Sequence, residues 1–542
     1  MKHANLLALT ASLSALTVTA SAATTAPAAT QGTDVVPALA CADMTRQSFG
    51  DVVIESASPV AAGSKVVTFL GATVTLPAHC LLSGAIAKRT GIDGKPYQIT
   101  FELRLPDRWN GRFLMQGGGG LDGFLSPAVG GFSPNDNALQ RGFAVVSTDF
   151  GHRDSRKPGE AGDFGLDPQA RRDYAYNAQD RVTVTAKRLV SAYYDKAPHH
   201  SYFNGCSGGG RQGMIMSQRF PTYYDGIVSG SPAIHLTDLS VSMFGRYQAA
   251  ARLVPKGADG MPDLAKAISD ADLKLVADAV VAKCDTGDGI KDGIIHNMKA
   301  CTFDPNTLLC SAGKTESCLS QDKLTMVKAM VAPTVDSKGN VLYPGVPWDA
   351  GIGDPTWRMF RLTGMPGQTV LQGSRGAFVL FMTPPAPDEN PFTTDIDRWQ
   401  TRAAEMARMT HPVDPDLSAF RKHGGKILFH HGYSDQIMSA NDMIDYYDKV
   451  VALNGSVDNT QEFARMFIVP GMLHCFGGPG MTDFNTLDAI VDWVEKGKAP
   501  DRIIASNERV FPGRTRPLCP YPAQTMYKGG DPEKADSFEC RR

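Results

Sequence analysis

Gly205-Cys206-Ser207-Gly208-Gly209 is the only Gly-x-Ser-x-Gly in the chain. A short aromatic and apolar run, Ser201 to Asn204, leads into it, and a helix-compatible segment, Arg211 to Arg219, follows. That context is what a nucleophile elbow requires. A strand turns sharply into a helix, the serine occupies the strained apex, and small neighbours avoid clashes there. Ser207 would present its hydroxyl to a cleft, with the Gly208 N–H facing a developing oxyanion. Read alone, the pentapeptide is also compatible with a glycine-rich turn and a bystander serine.

A serine hydroxyl needs a base at neutral pH, and the base needs an acid that fixes its tautomer. Behind such an elbow the order is Ser, acid, His, with the last two on loops after late strands. Lys426 to His430 runs into His431-Gly432-Tyr433-Ser434-Asp435, and Arg465 to Val469 runs into Pro470-Gly471-Met472-Leu473-His474. His474 is the only histidine C-terminal to Asp435, although the chain has 12. Asp435 and His474 are therefore the expected acid and base. A cap for a helix starting near Asn441 is the alternative for Asp435; Asp442 and Asp445 fall inside that helix.

The second oxyanion donor should follow an early strand, and Gly117 to Gly120 fits, Gly120 foremost. Backbone N–H groups approach a carbonyl oxygen most closely where no Cβ intervenes. A tight turn is the bland reading. Cys206 and Cys475 flank Ser207 and His474, and an assembled triad brings them within bridging reach. A nucleophilic Cys206 is the weaker idea, because the residue before the serine points away from the apex. Asp285-Thr286-Gly287-Asp288-Gly289-Ile290-Lys291-Asp292 suits an oxygen-rich calcium loop. It is not an EF-hand, since position twelve is His296 rather than glutamate; a polar turn is the alternative.

The elements that must position these residues alternate. Strand character is found over Lys65 to Leu76, Tyr97 to Leu105, Gly111 to Met115 and Phe143 to Thr148, then a helical pattern over Arg171 to Tyr194. Gly226 to Gly230 is the next strand. Alternation with short turns predicts a mainly parallel, doubly wound sheet, and the elbow with Ser, acid and His in that order makes the expected fold an α/β-hydrolase. The pattern breaks near Ala233 and resumes at Lys426, which predicts an inserted lid over 233–422. The catalytic domain would comprise 41–232 and 423–542, with a last helix over Leu487 to Lys496.

With 542 residues, 42% hydrophobic and 20% charged, the chain has the composition of a globular protein of one enlarged domain or two. A formal charge of −2 gives no basic surplus for nucleic acid or membrane docking. Residues 1–22 read as a secretory signal peptide ending at Ala20-Ser21-Ala22, and 23–40 as an unstructured Ala/Thr/Pro-rich segment. No other stretch is apolar for long enough to span a membrane. Ten cysteines in an exported chain default to disulfides. Cys284/Cys301, Cys310/Cys318 and Cys519/Cys540 are natural local pairs; spacing does not determine the rest.

Five stretches resemble the tannase and feruloyl esterase family: Ser83 to Gly94, Gly205-Cys206-Ser207, Tyr223 to Val228, Val469 to Cys475, and Arg516 to Pro522. The resemblance runs over most of the mature chain. It implies a triad of Ser207, Asp435 and His474, an oxyanion hole of Gly120 and Gly208, and a structural Ca²⁺ in the lid. The metal would be held by Asp285, Asp288 and Asp292 with the carbonyls of Ile290 and Ile294. It also implies the pairs Cys41–Cys80, Cys206–Cys475, Cys284–Cys301, Cys310–Cys318 and Cys519–Cys540. Substrate contacts would involve Gly119, with Gln368 or Arg375 where a relative has a carboxylate-binding arginine. The expected protein is a secreted or periplasmic monomer hydrolysing small aromatic carboxylic esters, of terephthalate monoester type or, alternatively, of hydroxycinnamate or gallate type. A calcium-dependent binding protein on a decayed hydrolase scaffold is the reading from another class.

Overall fold

The computed structural model describes residues 34–542 except 69–70, 132–136, 155–156, 158 and 312–316. The signal peptide expected over 1–22 lies outside the described residues, as does most of the segment expected to be unstructured over 23–40. From Asp34 onward the chain is held. Val35 N–H donates to Trp109 O at 2.8 Å, Trp109 N–H returns the bond at 3.0 Å, and Ala38 N–H donates to Tyr193 O at 2.8 Å. The described part of that segment is thus pinned by backbone hydrogen bonds.

Nine strands form one sheet: β1 (Val52–Val60), β2 (His79–Thr90), β3 (Pro96–Pro106), β4 (Arg112–Gln116), β5 (Ala144–Thr148), β6 (His200–Cys206), β7 (Gly226–Gly230), β8 (Lys426–Gly432) and β9 (Ala464–Val469). Their spatial order is β1-β2-β3-β5-β4-β6-β7-β8-β9. The pairs from β5 to β9 are all parallel, while β1, β2 and β3 pair antiparallel with one another and β3 with β5. The parallel strands are covered on both faces, so their side chains form continuous apolar runs rather than an in–out alternation. Phe203, Ile227, Phe429 and Met466 face one core, and their neighbours Tyr202, Val228, Leu428 and Phe467 face the other. The strand expected over Lys65 to Leu76 is instead two short antiparallel pieces, Lys65–Val67 and Thr73–Thr75, outside the main sheet. Gly71, at φ +81, supplies the left-handed turn between them.

Helix α1 (Ala178–Tyr194) continues a helical start at Pro168 through a π-turn at Asp173–Asn177, as the pattern over Arg171 to Tyr194 anticipates. It leads to β6, and helix α2 (Gly208–Arg219) leaves it. Between β7 and β8, neighbours in the sheet, lies the insertion. Its helices include α3 (Leu236–Ala251), α4 (Asp270–Cys284), α5 (Val370–Leu380) and α6 (Trp399–Thr410). Ser269 with Asp272 and Thr369 with Gln372 form capping boxes that start α4 and α5 by satisfying otherwise orphaned N–H groups. Phe244, Trp357, Phe378 and Trp399 of the insertion are buried in a second core, which also takes in Tyr97, Phe164, Tyr174 and Leu473 from outside it. After β8 come α7 (Ala440–Asn454), β9 and α8 (Thr486–Lys496), then a tail of two hairpins: β10 (Ile503–Asn507) with β11 (Phe511–Leu518), and β12 (Gln524–Tyr527) with β13 (Phe538–Arg541). Cys41–Cys80, Cys284–Cys301, Cys310–Cys318 and Cys519–Cys540 are bridged.

Candidate active site

Ser207 sits between β6 and α2 at φ 63° and ψ −124°. That left-handed conformation costs a non-glycine residue about 1–3 kcal/mol and persists only where surroundings enforce it. Its N–H donates to Gly230 O at 2.9 Å, and its carbonyl accepts from Arg211 N–H at 3.0 Å. The glycines around it are packing requirements. A Cβ on Gly209 would stand 2.7 Å from Gly118 O, one on Gly210 2.2 Å from Gly230 O, and one on Gly205 2.7 Å from Gly209 C. At Gly208 a Cβ would lie 3.1 Å from Gly120 O, which places the two expected oxyanion residues side by side. Gly120 is exposed and adopts φ +58.

Asp435 follows β8 and His474 follows β9, and Asp435 Oδ2 accepts from His474 Nδ1 at 2.8 Å. Its other oxygen accepts from Ile437 N–H at 2.8 Å and Met438 N–H at 2.9 Å. Helix α7 is capped by Ser439, not by Asp435. Burial alone would raise the Asp435 carboxyl, but His474 and His431 outweigh it and hold the group well below the ordinary carboxylate range. His431, fully buried, lies with Nε2 3.3 Å from Asp435 Oδ2, an ionic distance off the line of a hydrogen bond. Gln436 Oε1 accepts from His474 N–H at 3.0 Å, tying the two loops together. Cys206 and Cys475 form a disulfide with Cα atoms 6.0 Å apart. Cys206 is therefore no free thiol, and the chain positions next to Ser207 and His474 are covalently joined.

Two residues behind the glycine loop carried no sequence signal. Gln212 of α2, fully buried, accepts Gly118 N–H on Oε1 at 3.0 Å and donates through Nε2 to Asp122 Oδ2 at 3.1 Å. Burial pushes the Asp122 carboxyl up to about 8, against the pull of Arg211 and the Gln212 amide. Gly119 lines a small cavity with Gln116, Gly117, Gly118, Phe124 and Ser126. Arg375, on α5, donates to Gly159 O at 2.8 Å and is ion-paired with Asp163. Gln368 is exposed on the turn before α5.

The loop after α4 draws its acidic residues together. Asp285 accepts Gly293 N–H at 3.0 Å and Asp292 N–H at 3.2 Å, while Asp288 and Asp292 accept the N–H groups of Ile290 and Ile294, both at 3.1 Å. Asp288 Oδ2 is buried without a hydrogen-bond partner, and burial, helped by Asp292 and Asp285, pushes that carboxyl up to about 7. An orphaned carboxylate oxygen facing like charges is what a hard cation would satisfy. Donor atoms of Asp288, Asp292 and His296 lie within 4.8 Å of one another. His296 is buried with Nε2 unpartnered, so it belongs to this cluster although its sequence position only excluded an EF-hand.

No helix among the described residues is long and apolar enough to cross a membrane. The sequence profile described as tannase and feruloyl esterase matches residues 83–541. Mono(2-hydroxyethyl) terephthalate hydrolase of Piscinibacter sakaiensis is 41% identical, over 92% of this chain and 91% of its own. Probable feruloyl esterase B of Emericella nidulans is 32% identical, over 82% of this chain and 83% of its own. The crystal structure of feruloyl esterase B from Aspergillus oryzae superposes with a TM-score of 0.79 at 25% identity, covering 93% of this chain and 100% of that one. The sheet with its strand–elbow–helix unit is an α/β-hydrolase fold, and the chain belongs to the tannase and feruloyl esterase family of carboxylic ester hydrolases.

Proposed function

We propose that the protein is an exported serine esterase that hydrolyses aromatic carboxylic esters through an acyl-enzyme on Ser207. The observation that carries this reading is the Asp435–His474 hydrogen bond at 2.8 Å, delivered to the elbow by the Cys206–Cys475 bridge. Ser207 Oγ attacks the ester carbonyl as its proton passes to His474 Nε2, and Asp435 stabilises the imidazolium. The N–H groups of Gly208 and Gly120 receive the oxyanion. Collapse expels the alcohol, which takes the proton from His474. Water, deprotonated by the same histidine, then attacks the acyl carbonyl and releases the acid and the Ser207 hydroxyl.

The leading substrate class is the terephthalate monoester, after the 41% identical relative. Hydroxycinnamate or gallate esters are the second reading, favoured by one observation: the Arg375 guanidinium is already neutralised by Asp163. Ca²⁺ would be held by Asp285, Asp288 and Asp292 with the carbonyls of Ile290 and Ile294, supplying positive charge that fastens the loop and taking no part in ester cleavage. The leader read at 1–22 and five disulfides support export to the periplasm or outside the cell, where the chain would act as a monomer. Mass spectrometry of Ser207 peptides quenched during turnover of mono(2-hydroxyethyl) terephthalate, methyl ferulate and methyl gallate tests the proposal. An acyl adduct on Ser207 is expected with at least one ester. Absence of both adduct and hydrolysis with all three would leave the binding-protein reading.

A further inference from the structure

Asp349 stands in the insertion, far in sequence from both catalytic loops, and its side chain is fully buried. Its Oδ2 accepts from Ser434 Oγ at 2.7 Å and from Gly471 N–H at 2.7 Å. Its Oδ1 accepts from Ala350 N–H at 2.8 Å. Ser434 immediately precedes Asp435, and Gly471 opens the four-residue turn that ends at His474. One carboxylate oxygen therefore bonds the loop of the acid and the loop of the base at once. The insertion reinforces the contact on the acid side: Gly351 N–H donates to Ser434 Oγ at 2.9 Å and Trp357 Nε1 to Ser434 O at 2.9 Å. A Cβ on Gly351 would come within 2.4 Å of Ser434 Cβ, so this turn fits against Ser434 without slack.

A buried carboxylate is costly to keep and is retained where its acceptors are needed. Here both oxygens accept hydrogen bonds, and two of the three bonds end on the loops that carry Asp435 and His474. We infer that Asp349 is a positioning residue for the acid–base pair, so that the inserted segment sets the geometry of the triad. The inference rests on Ser207, His474 and Asp435 being the triad. Displacing either loop by a fraction of an ångström lengthens the Asp435–His474 bond or swings the imidazole from Ser207, and misplacement of about 1 Å can cost around 100-fold in rate.

The test follows labelling of Ser207 by a fluorophosphonate, which reads activation of the serine without choosing a substrate, alongside steady-state ester hydrolysis. All variants are compared at a temperature where near-UV circular dichroism shows them folded. Asp349→Ala should slow labelling and lower kcat by about 10- to 100-fold while KM stays within about twofold. Asp349→Asn should recover much of the loss, because an amide oxygen can still accept from both Ser434 and Gly471. Folded Asp349→Ala with wild-type labelling and kcat overturns the inference, as does equal loss in Asp349→Asn and Asp349→Ala. Should Asp349→Ala not fold, Ser434→Ala, which deletes one of the two loop bonds, carries the test: slower labelling supports the inference and an unchanged rate overturns it. Failure of the wild-type protein to label at Ser207 would instead defeat the triad reading.

Discussion

Cys206 and Cys475, 269 positions apart in sequence, are bonded to each other, and each is the immediate chain neighbour of a proposed catalytic residue, Ser207 and His474. A cross-link closing so long a loop removes entropy from the unfolded chain worth nominally ~5 kcal/mol, and often less. Replacing both cysteines by alanine is expected to lower the melting temperature and kcat together. Thermal melts and steady-state kinetics on the double variant check this. Titration of the denatured, unreduced wild-type protein should find almost no free thiol; two or more would contradict the bridge.

Ser207→Ala should abolish turnover and leave the melting temperature within a few degrees of wild type, because it deletes one half-exposed hydroxyl. Asp435→Asn should keep the fold but lower kcat by about 10⁴-fold, since the histidine then settles in the wrong tautomer. Substantial esterase activity in Ser207→Ala would sink the assignment.

His411 gives a pH signature that one variant can isolate. Its Nε2 accepts Thr237 N–H at 3.1 Å, so the neutral ring is the one built in. Burial, helped by His235 and Arg211, lowers the group from its ordinary 6.5 to about 3. Between those values the unfolded chain binds a proton that the folded chain does not, so stability falls as pH falls. Against His411→Gln, the wild type should lose stability by at most roughly 1.4 kcal/mol per pH unit below about pH 6.5. Urea unfolding of both proteins at pH 7 and pH 4.5 measures the difference; a constant gap between them would refute it.

Removing a divalent cation should act on the insertion and not on the chemistry. With free Ca²⁺ at about 100 times its dissociation constant, binding stabilises the folded state by ~2.7 kcal/mol. A chelator should therefore lower the melting temperature and added Ca²⁺ restore it, with kcat of the folded enzyme little changed. Asp288→Asn should abolish the response. Insensitivity of the wild type to both additions, with no metal in elemental analysis, would leave a polar turn.

The Arg375–Asp163 pair is partly exposed, so it contributes about 1 kcal/mol or less. Arg375→Ala is expected to change kcat/KM for mono(2-hydroxyethyl) terephthalate and its methyl-capped analogue by the same factor. Loss confined to the charged ester would show that this guanidinium leaves Asp163 to meet a substrate carboxylate.

What was legible in the sequence was local or ordered. The elbow could be read because its glycines answer clashes within a few residues of Ser207 and against two neighbouring segments, at Gly118–Gly120 and at Gly230, and because nothing else in the chain repeats the motif. Asp435 and His474 followed from strand runs ending in the right order. Gln212, Asp122 and Asp349 were invisible for the opposite reason. Their partners lie 90, 85 and 122 positions away for Gln212–Asp122, Asp349–Ser434 and Asp349–Gly471, and an aspartate in a loop reads as surface until the fold buries it. The same holds for Arg375, whose pairing with Asp163 across 212 positions no spacing rule could supply. Lys65 to Leu76 reads as one strand on its β-rich composition, but the glycine within it, Gly71, separates Lys65–Val67 from Thr73–Thr75.

The acidic loop after α4 is closed by residues made much later. Arg516, fully buried, pairs with Asp292 across 224 positions, and Arg514 donates to the Asp292 carbonyl across 222 at 2.9 Å. On the ribosome, the acidic residues at 285, 288 and 292 must wait for nearly the whole remaining chain before these guanidiniums reach them. The carboxyl-terminal hairpins therefore work as a latch applied from the catalytic domain onto a segment synthesised long before. A chain stopped ahead of Arg514 would carry every residue proposed for catalysis and still leave that loop without its two arginine partners.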